Sequence, residues 1–162
     1  MAKTIPTRFL ADAMLGSLAR KLRAFGFDTT YYASGGDEGM IKHAGAERRV
    51  ILTSDKVLFA RATSVRLPAL LIEGKTDGRR ISSLLRKARA ARVLIRRGAP
   101  LCSLCNGELA RVSRKEASSM VPASVWRRHR LFFHCLKCGQ SYWRGGHWKK
   151  LSGLERAFGH RV

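Results

Sequence analysis

The chain has four cysteines, and they fall into two identical pairs, CSLC at 102–105 and CLKC at 135–138, with 29 residues between the pairs. Two Cys-x-x-Cys turns facing each other present four thiolates in the arrangement that a tetrahedral Zn²⁺ requires. Two other uses compete with this one. Four cysteines can form two disulfides in a small secreted domain, but the opening stretch MAKTIPTRFLADA has no apolar signal segment, and a cytoplasmic protein is expected. A redox Cys-x-x-Cys usually opens a helix after a strand, and two copies in one short region would be unusual. Asn106-Gly107 follows the first pair and Gly139 the second, so each pair sits in a tight turn whose backbone N–H groups can point at sulfur. The spacing favours one structural zinc ion held by Cys102, Cys105, Cys135 and Cys138, with His134 an alternative ligand for one of them.

Charge narrows the partners. The net charge is +21, from 32 lysines and arginines against 11 aspartates and glutamates. It is spread over both halves, +12 before Ala99 and +9 from there on. A surface of this kind attracts phosphate polymers and releases their counterions, which points to nucleic acid without separating RNA from DNA. The basic residues are dispersed and the apolar runs are a few residues long, so neither a span nor a membrane anchor is expected. Oligomeric state leaves no mark in the sequence.

The first 97 residues alternate as βαβαβαβα, the pattern of a parallel sheet covered by helices. The strands are expected at 8–12, 29–33, 49–54 and 69–73, as short apolar or β-branched runs suited to burial on both faces. Between them, 13–25 carries a helical stripe through Leu15, Leu18, Ala19, Leu22 and Phe25 and stops at Gly26, while 37–49 and 55–62 are shorter helices. A fourth, arginine-rich helix is expected over about 79–97, ended by Gly98-Ala99-Pro100. Residues 101–145 read as a zinc-stabilised β-ribbon built on runs such as ELARVS and RLFFHC, too small to have a core of its own. The last residues, 149–162, would form a helical turn or two and fray.

With so few acids, their positions are informative. Asp12 ends the first strand, Asp37 and Glu38 follow the second, Asp55 the third, and Glu73 and Asp77 the fourth. In an open parallel sheet the carboxyl ends of the strands share one edge, and the ligand crevice lies where strand order reverses. Carboxylates converging there suit Mg²⁺ or Mn²⁺, which can activate water and clamp a phosphodiester. Asp12, Asp37 and Asp55 also stand where helix N-caps are expected. Capping explains any one of them, and explains three on one edge less well. Asp28, near a strand's amino end, reads as a turn residue.

Other stretches leave two readings open. SGGDEG at 34–39 fits no phosphate-loop fingerprint and reads as a flexible loop delivering Asp37. YWRGGHW at 142–148, followed by Lys149, mixes Tyr142, Trp143, His147 and Trp148 with Arg144 and Lys149 and can stack unpaired bases while contacting phosphates, or its aromatics can pack the ribbon on the first domain. Trp143 leans towards packing and Trp148 towards RNA. Arg86, Arg89, Arg92, Arg96 and Arg97 form either a solvated face or part of an RNA path. His43 and His160 read as ordinary surface residues.

FLADAMLGSLARKLRAFGFDTTYY, RVILTSDKVLFA, CSLCNGEL, VP and CLKCGQSYWRGGHW, in that order, closely resemble the mut-seven C-terminal RNase family, a PIN-like nuclease domain followed by a zinc ribbon. The match covers roughly residues 7–150. The resemblance implies a three-layer α/β/α PIN-like fold and metal-dependent hydrolysis of RNA phosphodiesters. Asp12, Asp37 and Asp55 match the family's acidic positions, with Asp77 a looser fourth, and the four cysteines match its zinc ligands. It divides the chain into a PIN-like RNase domain (1–98), a zinc ribbon (99–150) and a basic tail (151–162). One departure is visible: the family commonly has an arginine where Thr53-Ser54-Asp55 places serine. The competing functions are a non-catalytic RNA- or ribosome-binding protein on the same fold and, less in keeping with an attached ribbon, a toxin of a toxin–antitoxin pair. By analogy with a nuclease that matures small-subunit ribosomal RNA, the expected target is ribosomal RNA or ribosomal particles.

Overall fold

Four short strands, β1 (Arg8–Ala11), β2 (Asp28–Tyr31), β3 (Val50–Thr53) and β4 (Ala69–Leu71), form a parallel sheet in the order β2-β1-β3-β4. The computed structural model describes residues 7–145, 153–154 and 156–158. Leu10 pairs with Thr30 on one side and Ile51 on the other, and Ile51 in turn with Ala69. Side chains alternate between faces, so Phe9, Ala11, Leu52 and Leu70 share one core with α1 (Gly16–Ala24) and α4 (Asp77–Ala90). Leu10, Ile51 and Ala69 face the other way, against Met40 and Ala44 of α2 (Gly36–Glu47) and Leu58 and Ala62 of α3 (Lys56–Ser64). The result is the expected three-layer α/β/α PIN-like architecture, two helices on each face.

The expected strands and first three helices fall within a few residues of their places. A 3₁₀ turn, Ala13–Leu15, precedes α1. At the other end of α1, Gly26 has φ 89°, and a Cβ there would lie 2.1 Å from the carbonyl oxygen of Gly98, so only glycine turns the chain here. The fourth helix is shorter than expected. It ends at Ala90, where Arg92 takes a left-handed φ of 54° and the Val93 amide bonds back to the Ala88 carbonyl. Val93 and Ile95, whose branched side chains resist helix, pack on the α1/α4 core instead. Arg96 therefore lies in an extended segment that exchanges hydrogen bonds with Thr7.

A second sheet is antiparallel, β5 (Leu109–Val112), β6 (Phe132–Cys135) and β7 (Ser141–Trp143) in that order. Between β5 and β6 stand two helices that the ribbon reading did not anticipate, α5 (Arg114–Met120) and α6 (Ala123–Arg128). Ser113 and Glu116 form a capping box that starts α5. Ala117, Val121 and Phe132 are buried together with Val112, Val125 and Trp126 packed around them. This corrects the expectation that the ribbon has no core: the insertion supplies one. Leu154 and Phe158 are also docked: Phe158 lies 5.0 Å from the Phe27 ring and 5.6 Å from Phe25, and Leu154 joins the same core.

Candidate functional site

Strand order reverses between β1 and β3, because the chain moves from β1 to β2 on one side and returns to β3 and β4 on the other. Asp12 leaves the end of β1 and Asp55 follows β3, so both stand at this switch point. Asp37, in the first turn of α2, comes over the same edge. Asp12, Asp37 and Asp55 line one cleft of about 220 Å³, together with Tyr32, Ser34 and Met40.

Asp12 is 7 % exposed and held by three donors. One carboxylate oxygen accepts the Met14 amide at 2.9 Å, capping the 3₁₀ turn; the other accepts the Thr53 hydroxyl and, at 3.2 Å, the Ser54 amide. The same Thr53 hydroxyl oxygen accepts the Asp55 amide at 2.9 Å, so one buried threonine sets the positions of both acids. Asp55 caps α3 through a single oxygen, which accepts the amides of Val57 at 2.6 Å and Leu58 at 3.3 Å. Asp37 pairs with Arg61 of α3 at 3.1 Å, again through one oxygen. Capping and site-building are therefore not alternatives for Asp12 and Asp55. Thr53, Ser54 and Arg61 escaped the sequence reading, although Thr53 and Ser54 belong to the same TSD triplet as Asp55.

Two further acids expected on this edge, Asp77 and Glu73, are engaged elsewhere. Asp77 begins α4 and lies against α1, 2.6 Å from Lys21 Nζ and 3.1 Å from the Ser17 hydroxyl, outside the cleft. Burial raises its pKa, but the hydrogen bond and charge of Lys21 prevail and hold the carboxyl below its ordinary value. Glu73 pairs with Arg86 at 3.0 Å and Lys87 at 3.7 Å.

The cysteines converge completely. All four sulfur atoms lie within 4.8 Å of one another, and among the described residues no other group of three or more Cys, His, Asp or Glu ligand atoms comes together in this way. Cys105 and Cys135 sulfurs are 3.4 Å apart and Cys102 and Cys138 3.6 Å, far beyond an S–S bond and close to the ~3.8 Å edge of a tetrahedron with Zn–S bonds of about 2.3 Å. The two turns repeat each other in detail. The amides of Asn106 and Gly139 donate to the carbonyls of Cys102 and Cys135, and the amides of Cys102 and Cys135 donate to the carbonyls of Gly107 and Gln140. Asn106 and Gly139 both take left-handed φ, 65° and 76°. A Cβ on Gly107 would lie 3.0 Å from the Cys135 sulfur, so the turn closes tightly on the cluster.

The chemistry of the cluster also favours a cation. Burial raises the Cys102 thiol pKa, but hydrogen bonds from Tyr142 and backbone amides outweigh it and bring it down to about 6. Burial and the neighbouring sulfurs push Cys105 up to about 12. Thiolates this close repel one another, and a divalent ion such as zinc is what lets all four ionise together.

This cluster lies at the opposite edge of the parallel sheet from the acid cleft. Asp28, at the amino end of β2, accepts hydrogen bonds from Arg49 at 2.7 Å, Arg8 at 3.1 Å and Asn106 at 2.6 Å. Far from being only a turn residue, it ties the first cysteine turn to the sheet. Arg23, 6 % exposed at the end of α1, donates to the carbonyls of Thr29, Ser103 and Leu104 at 2.7–2.9 Å.

Of the basic candidates, Arg86, Arg89 and Arg92 are exposed, while Arg96 and Arg97 follow the end of α4. Arg144 lies just beyond β7, and Trp143, expected to pack, is 36 % exposed. His147, Trp148 and Lys149 fall outside the described residues. No helix among the described residues is long and apolar enough to cross a membrane.

Comparison with protein families matches the Mut7-C RNAse domain over residues 7–154. Comparison with curated proteins and with solved structures finds no match. With nearly the whole chain covered, the protein belongs to the Mut7-C RNase domain family.

Proposed function

We propose that this protein is a metal-dependent ribonuclease that hydrolyses phosphodiesters of structured or ribosomal RNA in the cytoplasm. The observation that supports this most is the cleft at the strand switch point, which three carboxylates from three chain segments line in a molecule of net charge +21. Asp12, Asp37 and Asp55 would hold Mg²⁺ or Mn²⁺. Their all-oxygen donor set suits these ions, and Asp37 and Asp55 each keep a second oxygen free of hydrogen bonds from the described residues. Such an ion, when bound, makes water nucleophilic near neutral pH and neutralises charge on the phosphate.

The chain's own residues do the rest. Thr53, Ser54 and Met14 fix the Asp12 carboxylate against rotation, and α3 orients Asp55. Arg61 holds Asp37 at the rim. Asp77, the fourth acid, acts from outside the cleft by fixing Lys21 on α1. One zinc ion on Cys102, Cys105, Cys135 and Cys138 is structural, far from the reacting phosphate. The catalytic unit is residues 1–98, the ribbon 99–150 and the tail 151–162, with Arg86, Arg89, Arg92, Arg96, Arg97, Arg144, His147, Trp148 and Lys149 along the RNA path.

A second reading, a non-catalytic RNA- or ribosome-binding protein, is favoured by the Asp37–Arg61 pair, which occupies one acid of the cleft. Cleavage of total and ribosomal RNA in Mg²⁺ or Mn²⁺ by the protein and by its Asp12→Asn variant decides between them. The nuclease reading requires the variant to lose at least roughly 100-fold in rate while still binding RNA. Two inert proteins that bind RNA equally well would establish the binder instead.

A further inference from the structure

A larger cleft, of about 580 Å³, runs between α1 and the ribbon. Its walls are Arg20 and Lys21 from α1, Phe133 from β6, and Tyr142, Trp143 and Arg144 at the end of β7. No carboxylate is among the described residues that line it. Phe133 and Tyr142 are register partners on neighbouring strands. Tyr142 is fixed by its hydroxyl, 3.0 Å from the Cys102 sulfur and 3.2 Å from the Ser103 hydroxyl, so the cysteine cluster braces this wall. Trp143 follows Tyr142 at the end of the same strand and stands at the rim of the cleft, 36 % exposed, with the His129 ring 6.5 Å from its own.

We propose that this cleft binds an unpaired nucleotide of RNA, its base against the aromatic wall and its phosphate at Arg20. The inference rests on the chain acting on RNA and adds how that RNA is held. A volume in the range of small-ligand sites, an apolar floor and a cationic rim match a flat base joined to an anion, and fit neither a duplex nor an acidic surface alone. Lys21 is already paired with Asp77, which leaves the exposed Arg20 as the cation that α1 offers the phosphate. Arg20 follows Asp12 through the 3₁₀ turn and the first half of α1, on the order of 13 Å. One strand can therefore lie along α1 with a nucleotide in this cleft and a phosphate near the acids. The preference is for single-stranded RNA or a loop, since a base inside a helix cannot enter.

The test is fluorescence anisotropy of a labelled ten-nucleotide oligouridine and of a hairpin-free RNA duplex with the full-length protein, beside Trp143→Ala and Arg20→Ala. Both substitutions are at exposed positions, and thermal unfolding checks that the fold survives. The proposal predicts tighter binding of the single strand than of the duplex, a loss of roughly tenfold or more for Trp143→Ala, and a flatter salt dependence for Arg20→Ala. Oligouridine should also quench tryptophan emission in the parent protein and less so in Trp143→Phe. If the RNAs bind but neither substitution weakens the single strand, the cleft is not the site, while the RNA reading stands. If no RNA binds the parent protein, both fall. Unchanged RNA affinity together with self-association lost in Trp143→Ala would assign the cleft to a second copy of the chain and overturn the proposal.

Discussion

Replacing Arg23 with methionine removes the guanidinium while keeping most of the buried stem, and tests whether the parallel-sheet domain sets the affinity of the cysteine cluster. Arg23 is buried, and its three bonds end on Thr29 in the sheet and on Ser103 and Leu104 inside the first cysteine turn. Leaving a buried carbonyl without a donor costs about 1–3 kcal/mol, and the Thr29 oxygen is the one water reaches least. Burial of the guanidinium opposes the bonds it makes and lowers its pKa, so relief of that burial returns part of the loss. A net destabilisation of about 2–4 kcal/mol remains, which for a chain of this size lowers Tm by roughly 5–15 °C. If half of it falls on the first cysteine turn, zinc binding weakens by about 5- to 30-fold. Differential scanning calorimetry and competition against a chromophoric chelator measure the two effects. Arg23→Lys should recover little, because an ammonium cannot serve carbonyls on both sides of the junction at once. An unchanged Tm together with an unchanged zinc affinity would refute the coupling.

Gly26→Ala meets the Gly98 carbonyl at 2.1 Å in a left-handed conformation, so it should cost about 3 kcal/mol or more, seen as a lower urea midpoint with little change in slope. Asp28 supplies a pH signature. Burial raises its pKa, but hydrogen bonds from Arg49 and Asn106 prevail and hold it below its ordinary value of 3.8. Its contribution is present above that value and is lost as pH falls through the depressed one, so Asp28→Asn should flatten the stability profile on the acid side of about pH 4. A variant whose acid limb matches the parent's would remove Asp28 from its role as the anchor of Asn106.

The parallel layers were legible because strands buried on both faces are continuous apolar runs, and because residues such as Leu15, Leu18 and Leu22 repeat at helical spacing. The cluster of four cysteines was legible for a similar reason: Cys-x-x-Cys geometry is local to each turn. Where local preference and packing disagreed, sequence was a poorer guide. The basic run after Ala90 continues a helical composition, yet Val93 and Ile95 gain more by burial against α1 and α4 than by helix, and the chain turns at Arg92. The helix α5 was signalled by Ser113-x-x-Glu116 but hidden, with α6, within a stretch dominated by the cysteine turns.

The chain order of βα units by itself determined that Asp12, Asp37 and Asp55 would line one edge, because the carboxyl ends of parallel strands share an edge whatever the side chains. It determined as well that four thiols would gather. Tertiary structure alone decided that these two centres lie at opposite edges of one sheet, that Asp28 and Arg23 tie the cysteine cluster to that sheet, and that α1 forms a cleft with the ribbon. Those outcomes depend on contacts between residues up to 81 positions apart, such as Arg23 with Leu104. No periodicity encodes such contacts, since they arise only when separately folded surfaces are pressed together and each buried charge must find its partner.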